Sequence, residues 1–231
     1  MDFELCIDSI EEALTAKEFG FKRVELCSGL EVGGLTPSYG LISSCVDVQG
    51  AEVHVIIRPN AGGFVYSNVA FELMQKDIMG VAAAKAAGVV FGIMNEENRI
   101  DYQKNSGLVQ LAKSQDLECT FHRAIDLSSD WQSDLDDLIE IGFDRVLSSG
   151  GASRAIDGID RLAEMKEHAA GRIQIMAGAG VNANNALKLA KAKVDALHFT
   201  ARTTNSKKDN FGFGSSIQID SQKIEDVLRH F

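Results

Sequence analysis

The sequence predicts an α/β fold, a single (β/α)8 TIM barrel that spans residues 1–231. Short apolar segments with strand character alternate with helical segments along the chain, and no linker or change in composition interrupts them. Such alternation is typical of a parallel sheet, and eight units in roughly 200–250 residues are typical of the closed barrel. An open doubly wound sheet is the alternative, but no Gly-x-Gly-x-x-Gly pattern follows the first strand.

The first strand–helix unit shows this pattern clearly. Residues 3–7 alternate apolar and polar side chains, as expected for a half-buried strand. Ser9 and Glu12 have the spacing of a capping box, which predicts that a helix begins here. Gly20 suits the left-handed residue that follows a helix, so the next strand is expected directly after it.

The same succession of strand, turn and helix continues to the end of the chain. The predicted strands are short apolar runs, at residues 3–7, 23–27, 53–58, 89–94, 117–123, 144–148, 173–177 and 195–200. The helices that can be delimited cover residues 9–20, 38–48, 67–88, a segment ending near 115, 131–141, a segment that Asn182 caps, and 221–231. Residues 203–220 are predicted to form a polar loop before the last helix.

Polar side chains occupy the face of several strands that should point into the barrel. Glu4 and Cys6 in the first strand are repeated as Glu25 and Cys27 in the second. The same phase directs four more ionisable side chains inward, namely His54, Arg58, His122 and His198. Burying unpaired ionisable groups costs several kcal/mol each, and active sites of such barrels lie at the C-terminal ends of the strands.

We therefore predict a pocket at that end, with four candidate catalytic residues: Glu4, Glu25, His122 and His198. These four side chains and Arg58 are expected to converge there. The alternative is a structural polar layer, in which Glu4 and Glu25 pair with Arg58 and the histidines.

Glycine-rich turns predict an anion site at the same end of the barrel. In many barrels the turns after the seventh and eighth strands bind phosphate through backbone N–H groups and a helix N-terminus. The candidate binding residues are two arginines and turn residues after strands six and seven: Arg58, Arg123, Ser149, Gly150, Gly178 and Gly180. Free N–H groups of residues 180–184 are expected to face the mouth. The alternative is that these glycines only form tight loops.

Composition excludes some partners. The net charge of −10, from 33 acidic and 23 basic side chains, argues against nucleic-acid binding. No cationic start precedes an apolar run and no apolar segment is long enough to span a bilayer, so we expect no signal peptide and no membrane partner. The 4 cysteines are widely spaced, as in cytoplasmic proteins with free thiols. A homo-oligomer is plausible from the frequency of symmetric assemblies.

The cysteines fall into two classes. Cys45, on a predicted helix, and Cys119 are interpreted as buried space-filling residues. Cys6 and Cys27 lie at matching positions of neighbouring strands, which are about 4.8 Å apart, so their thiols could share one soft metal ion. Two thiolates suit Cu(I). The alternative is that the stagger of the barrel offsets the two thiols.

A set of short motifs, in order along the chain, resembles those of the CutC copper-homeostasis proteins. They are ELC at 4–6, RVELC at 23–27, GGLTPS at 33–38, IRP at 57–59, YS at 66–67, TFHRA at 120–124, RVLSSG at 145–150 and IMAGAGV at 175–181. The resemblance extends to about residue 202 and implies a (β/α)8 barrel, a cytoplasmic location and a role in copper handling. The Cu(I) binding proposed for some members falls, residue by residue, on Cys6 and Cys27. After strand three the family reads Arg-Pro-Arg-Gly-Gly-Asp-Phe, whereas residues 58–64 read RPNAGGF, so a second arginine and an acid are missing here.

Three classes of function therefore stay open. The first is a copper-homeostasis protein that binds Cu(I) through Cys6 and Cys27. The second is an enzyme acting on a small phosphorylated or carboxylated metabolite, with Glu4 or Glu25 as general acid or base and arginines holding the anion. The third is a binding protein for a small anion without catalysis. Loss of the thiols should abolish the first activity, and loss of the carboxylates the second.

Overall fold

The computed structural model describes residues 1–49, 52–208 and 215–231. Its centre is a closed barrel of parallel strands in which each strand pairs with the next and β8 pairs with β1. The strands are β1 Asp2–Ile7, β2 Arg23–Leu26, β3 Glu52–Ile56, β4 Gly88–Phe91, β5 Glu118–Phe121, β6 Arg145–Ser148, β7 Gln174–Ala177 and β8 Ala196–Phe199. The predicted (β/α)8 barrel is confirmed.

Helices follow the strands and cover the outside of the barrel. They are α1 Ile10–Glu18, α2 Tyr39–Gln49, α3 Asn68–Ala83, α4 Tyr102–Lys113, α5 Trp131–Ile141, α6 Ile159–Ala169, α7 Ala186–Lys191 and α8 Ser221–Leu228. Within the ranges that the structure describes, no helix combines the length and apolar character needed to cross a membrane.

The predicted start of α1 is confirmed in part. The Ser9 side chain accepts a hydrogen bond from the Glu12 backbone N–H at 3.2 Å, which satisfies one of the donors left free at a helix start. The Glu12 carboxylate, however, accepts from the N–H of Asp8 at 2.7 Å rather than from Ser9. In this capping box the acidic side chain therefore binds the N–H of the residue before the N-cap instead of the N–H of the N-cap itself.

Two predicted segments differ from the structure. The predicted polar loop at 203–220 contains an antiparallel hairpin of β9 Arg202–Lys208 and β10 Ser215–Ile219, and its remaining residues 209–214 lie outside the described ranges. The helix that Asn182 was expected to cap begins later, because α7 starts at Ala186 with Asn185 as its N-cap. Residues 182–185 form a hydrogen-bonded turn instead, closed by Asn185 N–H to the carbonyl of Asn182 at 3.1 Å.

The strands separate two buried regions. Leu5 and Leu26, with Cys45 and Cys119, belong to the core between strands and helices, as the alternation predicts. The opposite phase faces the lumen, where Arg23 of β2 reaches across the barrel to Thr120 of β5 at 2.8 Å.

The lumen depends on small residues to accommodate its large polar ones. A Cβ on Gly88 of β4 would lie 2.3 Å from Nδ1 of His54 on β3, nearer than any side chain tolerates. Gly88 and His54 occupy paired positions of the two strands. The glycine therefore makes the room that lets a fully buried histidine point inward.

Candidate functional site

The two thiols expected to share an ion lie side by side at the C-terminal end of β1 and β2. The backbone N–H of Cys27 donates to the carbonyl of Ile7 at 2.9 Å, which extends the β1–β2 ladder past the end of β2. The sulfur atoms of Cys6 and Cys27 are 4.0 Å apart. Only 6% of Cys6 and 1% of Cys27 is exposed, and Ile56 and Leu30 pack against the pair. Stagger of the barrel does not separate them.

Glu25 joins the thiols. It pairs with Cys6 in the β1–β2 register, so the two side chains share one height in the lumen. One carboxylate oxygen of Glu25 and the sulfurs of Cys6 and Cys27 all lie within 4.8 Å of one another. We call these three residues the thiol cluster.

A charged chain connects this cluster to the interior of the barrel. His198 Nε2 is 3.6 Å from Glu25 Oε2, and His198 Nδ1 is 2.8 Å from Glu4 Oε1. The other oxygen of Glu4 accepts a hydrogen bond from Nε of Arg23. Arg23 continues to Glu118 Oε2 at 3.0 Å, so the chain ends at the opposite, N-terminal end of the barrel.

Arg23 is the cation that balances Glu4, and sequence reasoning missed it. The expected partner in a structural polar layer was Arg58. The signal for Arg23 was present, because it lies two residues before Glu25 on the same face of β2. The polar layer thus exists, with Arg23 and His198 as its cations.

Burial and the charges of neighbouring groups shift the pKa values of Glu4, Glu25 and His198 in different directions. Burial opposes ionisation of Glu4, but the Arg23 guanidinium and His198 hold the pKa of Glu4 below its usual range. Burial raises the pKa of Glu25 well above its usual range, and the charges of Cys6 and Glu4 add to that shift. The pKa of His198 is raised despite its burial, by hydrogen bonds to Cys6 and Glu4 and by the charge of Glu25.

The two thiols also differ from each other. The hydrogen bond from Cys27 lowers the pKa of Cys6 to about 5 in spite of burial, and His198 contributes. The same bond, together with burial, raises the pKa of Cys27 well above its usual range. The pair therefore favours one shared proton, with the thiolate on Cys6 beside the His198 imidazolium.

The guanidinium of Arg58 is hydrogen-bonded to backbone carbonyls. Its guanidinium donates to the carbonyl oxygens of Val32 at 2.9 Å, Gly34 at 2.8 Å and Gly62 at 2.7 Å, and it lies over the Phe64 ring. No hydrogen bond or ion pair joins it to Glu4 or Glu25 in the described parts of the chain. The contacts of Arg58 hold the loops after β2 and β3 together.

His122 is a neutral, buried ring on the same side as Arg58. Its Nδ1 accepts from the Ala124 N–H at 3.3 Å, and its ring centroid lies 4.6 Å from that of Phe64. Burial lowers its pKa to about 3, and the charges of Arg58 and Arg123 act in the same direction. The expected convergence of five side chains is thus reduced to contacts among Glu4, Glu25 and His198.

The anion donors predicted after strand six are already bound to an anion of the chain itself. The carboxylate of Asp126 accepts from the Ser149 N–H at 3.0 Å and from Arg123 Nε at 2.9 Å. It also accepts from the hydroxyl of Ser148 at 2.6 Å and the N–H of Gly151 at 3.0 Å. We call these five residues the Asp126 cluster.

The remaining predicted anion donor of this turn is also engaged, since the Gly150 N–H donates to the Ser148 hydroxyl at 2.9 Å. Sequence reasoning did not consider Asp126, although an acid three residues after Arg123 is the nearest partner that local spacing offers. The donors of this turn bind the carboxylate of Asp126, an anion that belongs to the chain itself.

The turn after β7 offers fewer free donors than expected. The N–H of Gly178 donates to the carbonyl of Ser148 at 3.0 Å. The N–H groups of Asn182 and Asn184 donate to the side-chain oxygens of Asn185 and Asn182, at 2.9 and 3.0 Å. Gly180 contributes its carbonyl, which accepts from Asn182 Nδ2 at 2.9 Å. The expectation of free N–H groups is wrong at positions 182 and 184.

Cavities of about 340 and 480 Å³ open at the other end of the barrel, where Arg23, Glu52 and Arg145 contribute to the walls. None of the predicted site residues lines them. In (β/α)8 barrels that end contributes stability, and chemistry occurs at the C-terminal ends of the strands. The thiol cluster is therefore the stronger candidate for function.

Comparison with known proteins gives one family. A model described as the CutC family matches residues 1–203. A family protein CutC of Histophilus somni (strain 2336) is 43% identical over 229 residues, which cover 98% of this chain and 92% of that protein. A crystal structure from Streptococcus agalactiae, named as a candidate copper homeostasis protein CutC, matches at 32% identity with a TM-score of 0.81, covering 86% of this chain and 97% of that one.

The barrel alone is shared more widely. Thiamine phosphate pyrophosphorylase from Pyrococcus furiosus aligns with a TM-score of 0.61 at 14% identity, over 99% of this chain and 94% of that one. At that identity the likeness describes the fold and carries nothing about the activity.

Proposed function

This chain belongs to the CutC family of copper homeostasis proteins, and from that membership we propose that it binds Cu(I) through the thiols of Cys6 and Cys27. The observation that carries the proposal is the 4.0 Å separation of the two sulfur atoms. Soft sulfur donors select Cu(I) over the harder cations of the cell. The name of the streptococcal relative mentions copper homeostasis.

The surroundings of the sulfurs fit a thiolate ligand pair. Ile56 and Leu30 pack against the cysteines, and an apolar shell limits the access of water to such a site. Binding requires deprotonated sulfur, and the pKa of Cys6 is lowered to about 5 by its hydrogen bond with Cys27, with His198 assisting. His198 in turn is held by Glu4 through Nδ1 at 2.8 Å, which leaves Nε2 to face Glu25 and the thiols.

The test is a titration of the reduced protein with Cu(I), without oxygen and against a chromophoric Cu(I) chelator. The double variant Cys6→Ser/Cys27→Ser should lose the binding, whereas Cys45→Ser/Cys119→Ser should keep it. The control pair is well matched, because all four cysteines are free and buried. Equal Cu(I) affinity in wild type and Cys6→Ser/Cys27→Ser would exclude the proposal.

A second candidate is an enzyme that uses carboxylate acid–base chemistry on a small phosphorylated or carboxylated metabolite. One observation favours it: Glu4 and Glu25 contact the same histidine, and their pKa values are shifted in opposite directions. Carboxyl groups driven apart in this way are typical of acid–base pairs. In this candidate Glu4 stays ionised, Glu25 is the proton donor, and His198 lies between them.

Ligand stabilisation distinguishes the two candidates, since a ligand that binds only the native state raises the melting temperature. Cu(I) should stabilise the wild type and not Cys6→Ser/Cys27→Ser. Stabilisation by inorganic phosphate or a small carboxylate alone, lost in Glu25→Gln, would favour the enzyme. Arg58 and the Asp126 cluster are engaged with the chain's own groups, so the anion contacts assigned to them are not part of this candidate.

We further propose that the protein acts in the cytoplasm. Its four cysteines are free and buried, and reduced thiols are typical of that compartment. A dithiol site also needs reducing surroundings to keep its ligands available.

A further inference from the structure

The spacing of the two sulfur atoms has a bearing on how many ligands the ion would take. A thiolate lies about 2.3 Å from a bound zinc ion, so two thiolates in line with it would be about 4.6 Å apart and two at about 120° about 4.0 Å apart. The sulfurs of Cys6 and Cys27 are 4.0 Å apart. The spacing suits the bent arrangement, which leaves a third position beside the ion.

Glu25 is the side chain that can fill that position. Its carboxylate oxygen lies within 4.8 Å of both sulfurs, and Glu25 also belongs to the group formed with Glu4 and His198. It is buried, with 4% of the residue exposed. The Glu25 carboxyl group is hydrogen-bonded to Cys6 and Cys27, and His198 Nε2 approaches it at 3.6 Å.

We propose that Glu25 is the third ligand of the thiol cluster, and that the site takes a divalent ion of intermediate softness, with Zn²⁺ as the test case, in addition to Cu(I). The proposal rests on the proposed function, because it requires that Cys6 and Cys27 bind a metal. It adds a hard donor to the ligand set and a second class of ion to the site.

The charges support a divalent ion. Two thiolates and one carboxylate carry three negative charges, and uncompensated charge inside a protein is costly. With the His198 imidazolium beside the ligands, a monovalent ion leaves one of those charges unbalanced, and a divalent ion leaves none. A carboxylate oxygen is also a poor donor for soft Cu(I), whereas zinc accepts sulfur, nitrogen and carboxylate oxygen together.

The test compares Zn²⁺ and Cu(I) affinities of the reduced full-length protein by competition with chromophoric chelators. Glu25→Gln should weaken Zn²⁺ binding by at least about tenfold, the loss that even supporting groups around a metal commonly cause. Its Cu(I) affinity should change by less than about threefold, because a neutral amide oxygen costs a soft dithiolate site little. Circular dichroism and melting temperature confirm that each variant is folded.

Glu12→Gln is the matched control. Glu12 is a buried carboxylate that accepts hydrogen bonds from Asp8 and Arg202 at 2.7 and 3.1 Å. Burial raises the pKa of Glu12, and the nearby charge of Cys6 adds to that shift, but Glu12 is not a member of the thiol cluster. The Glu12→Gln change therefore removes a neighbouring charge without removing a ligand. This variant should keep its Zn²⁺ affinity within about threefold of wild type.

X-ray absorption at the zinc edge of the Zn²⁺-loaded wild type gives a readout that needs no variant. The expected spectrum has two sulfur scatterers and at least one oxygen or nitrogen scatterer. Sulfur scatterers alone, or unchanged Zn²⁺ affinity in Glu25→Gln, would overturn the role of Glu25.

Failure of this inference is distinguishable from failure of the proposed function. Cu(I) binding without Zn²⁺ binding refutes the inference and leaves the copper site standing. If Cys6→Ser/Cys27→Ser keeps its affinity for both ions, the proposed function and the inference fall together.

Discussion

Two carboxylates at the barrel mouth, those of Asp126 and Glu25, have opposite surroundings. Asp126 accepts hydrogen bonds from backbone N–H groups, hydroxyls and Arg123. Donors within the fold therefore compensate the charge of this carboxylate. Glu25 has as its nearest charged partner a histidine nitrogen at 3.6 Å, and it lies against two thiols. A carboxylate that several strong donors hold contributes to stability, whereas one that only weak thiol donors and a distant histidine approach stays available to a ligand or a proton. By this criterion the thiol cluster is the candidate for function, and the contacts of the Asp126 cluster are those of a structural network.

The strongest test of this contrast is Asp126→Ala. The change leaves the N–H groups of Ser149 and Gly151 and the guanidinium of Arg123 without their acceptor. Leaving such partly buried donors without their acceptor typically costs about 1–3 kcal/mol. We expect a fall of that size in the free energy of unfolding, measured by urea denaturation, with Asp157→Ala at an exposed ion pair as the control.

Rescue by added anions sharpens the same test. The vacated donors of Asp126→Ala should accept a small carboxylate, so acetate or formate should raise the melting temperature of this variant more than that of wild type. An equal response of both proteins would mean that these donors do not form an anion site even when the aspartate is removed.

The second prediction concerns the effect of acid on His122. The pKa of His122 is about 3 in the folded protein because of burial, against 6.5 for the free side chain. Between these values the unfolded chain binds more protons, so stability is complete above pH 6.5 and is lost as the pH falls toward 3. From pH 7 to pH 5 this single group should remove about 2 kcal/mol.

His122→Asn should flatten that dependence, because its side-chain oxygen can accept the Ala124 N–H without titrating. Thermal unfolding at pH 7, 6 and 5 in both proteins gives the difference. His54, whose pKa burial also lowers to about 3, is present in both and cancels. Parallel pH profiles for the two proteins would show that His122 is not held neutral by its burial.

The third prediction probes the wall of the thiol cluster. Gly34 has a φ of 86°, and a Cβ there would lie 3.3 Å from the sulfur of Cys27. Gly62 has a φ of 107° and open space around its Cβ position. Both changes to alanine should cost about 1 kcal/mol of backbone strain. Gly34→Ala alone should also weaken Cu(I) binding, and equal affinities in the two variants would count against a role for this contact.

The smallest expected effect is that of Glu25→Gln on stability. Because burial raises the pKa of Glu25 and so favours its neutral form, the neutral isostere glutamine should change the free energy of unfolding by less than about 1 kcal/mol and should not destabilise. Urea denaturation of the metal-free protein measures it beside Asp126→Ala. A loss comparable to that of Asp126→Ala would remove the distinction between the two clusters.

Local sequence patterns are sufficient to predict the barrel and the thiol cluster. Strand alternation decides which side chains face the lumen, so the sequence alone places Cys6, Glu25, Cys27 and His198 on that face, together with Glu4, His54, Arg58 and His122. The hairpin of β9 and β10 was missed, since the polar composition of that segment resembles a loop.

The sequence predictions differ from the structure where a long side chain can bind several alternative partners. Arg58 reaches three carbonyls of its neighbouring loops rather than a carboxylate. The donors of Ser149 and Arg123 were recognised, but the competing acceptor Asp126 was not. A spacing pattern identifies donors and acceptors, whereas only the folded chain decides which of them are already satisfied.

The contact between Glu4 and His198 also determines at which stage of synthesis and folding the complete site can form. It joins residues 194 positions apart, across the seam where β8 pairs with β1, whereas the two thiols are only 21 positions apart. During synthesis the cysteines emerge early and the histidine near the end. Contacts of such long range form late because chain closure must precede them. The complete site cannot precede closure of the seam, so the contribution of His198 to the lowered pKa of Cys6 is present only in the closed barrel.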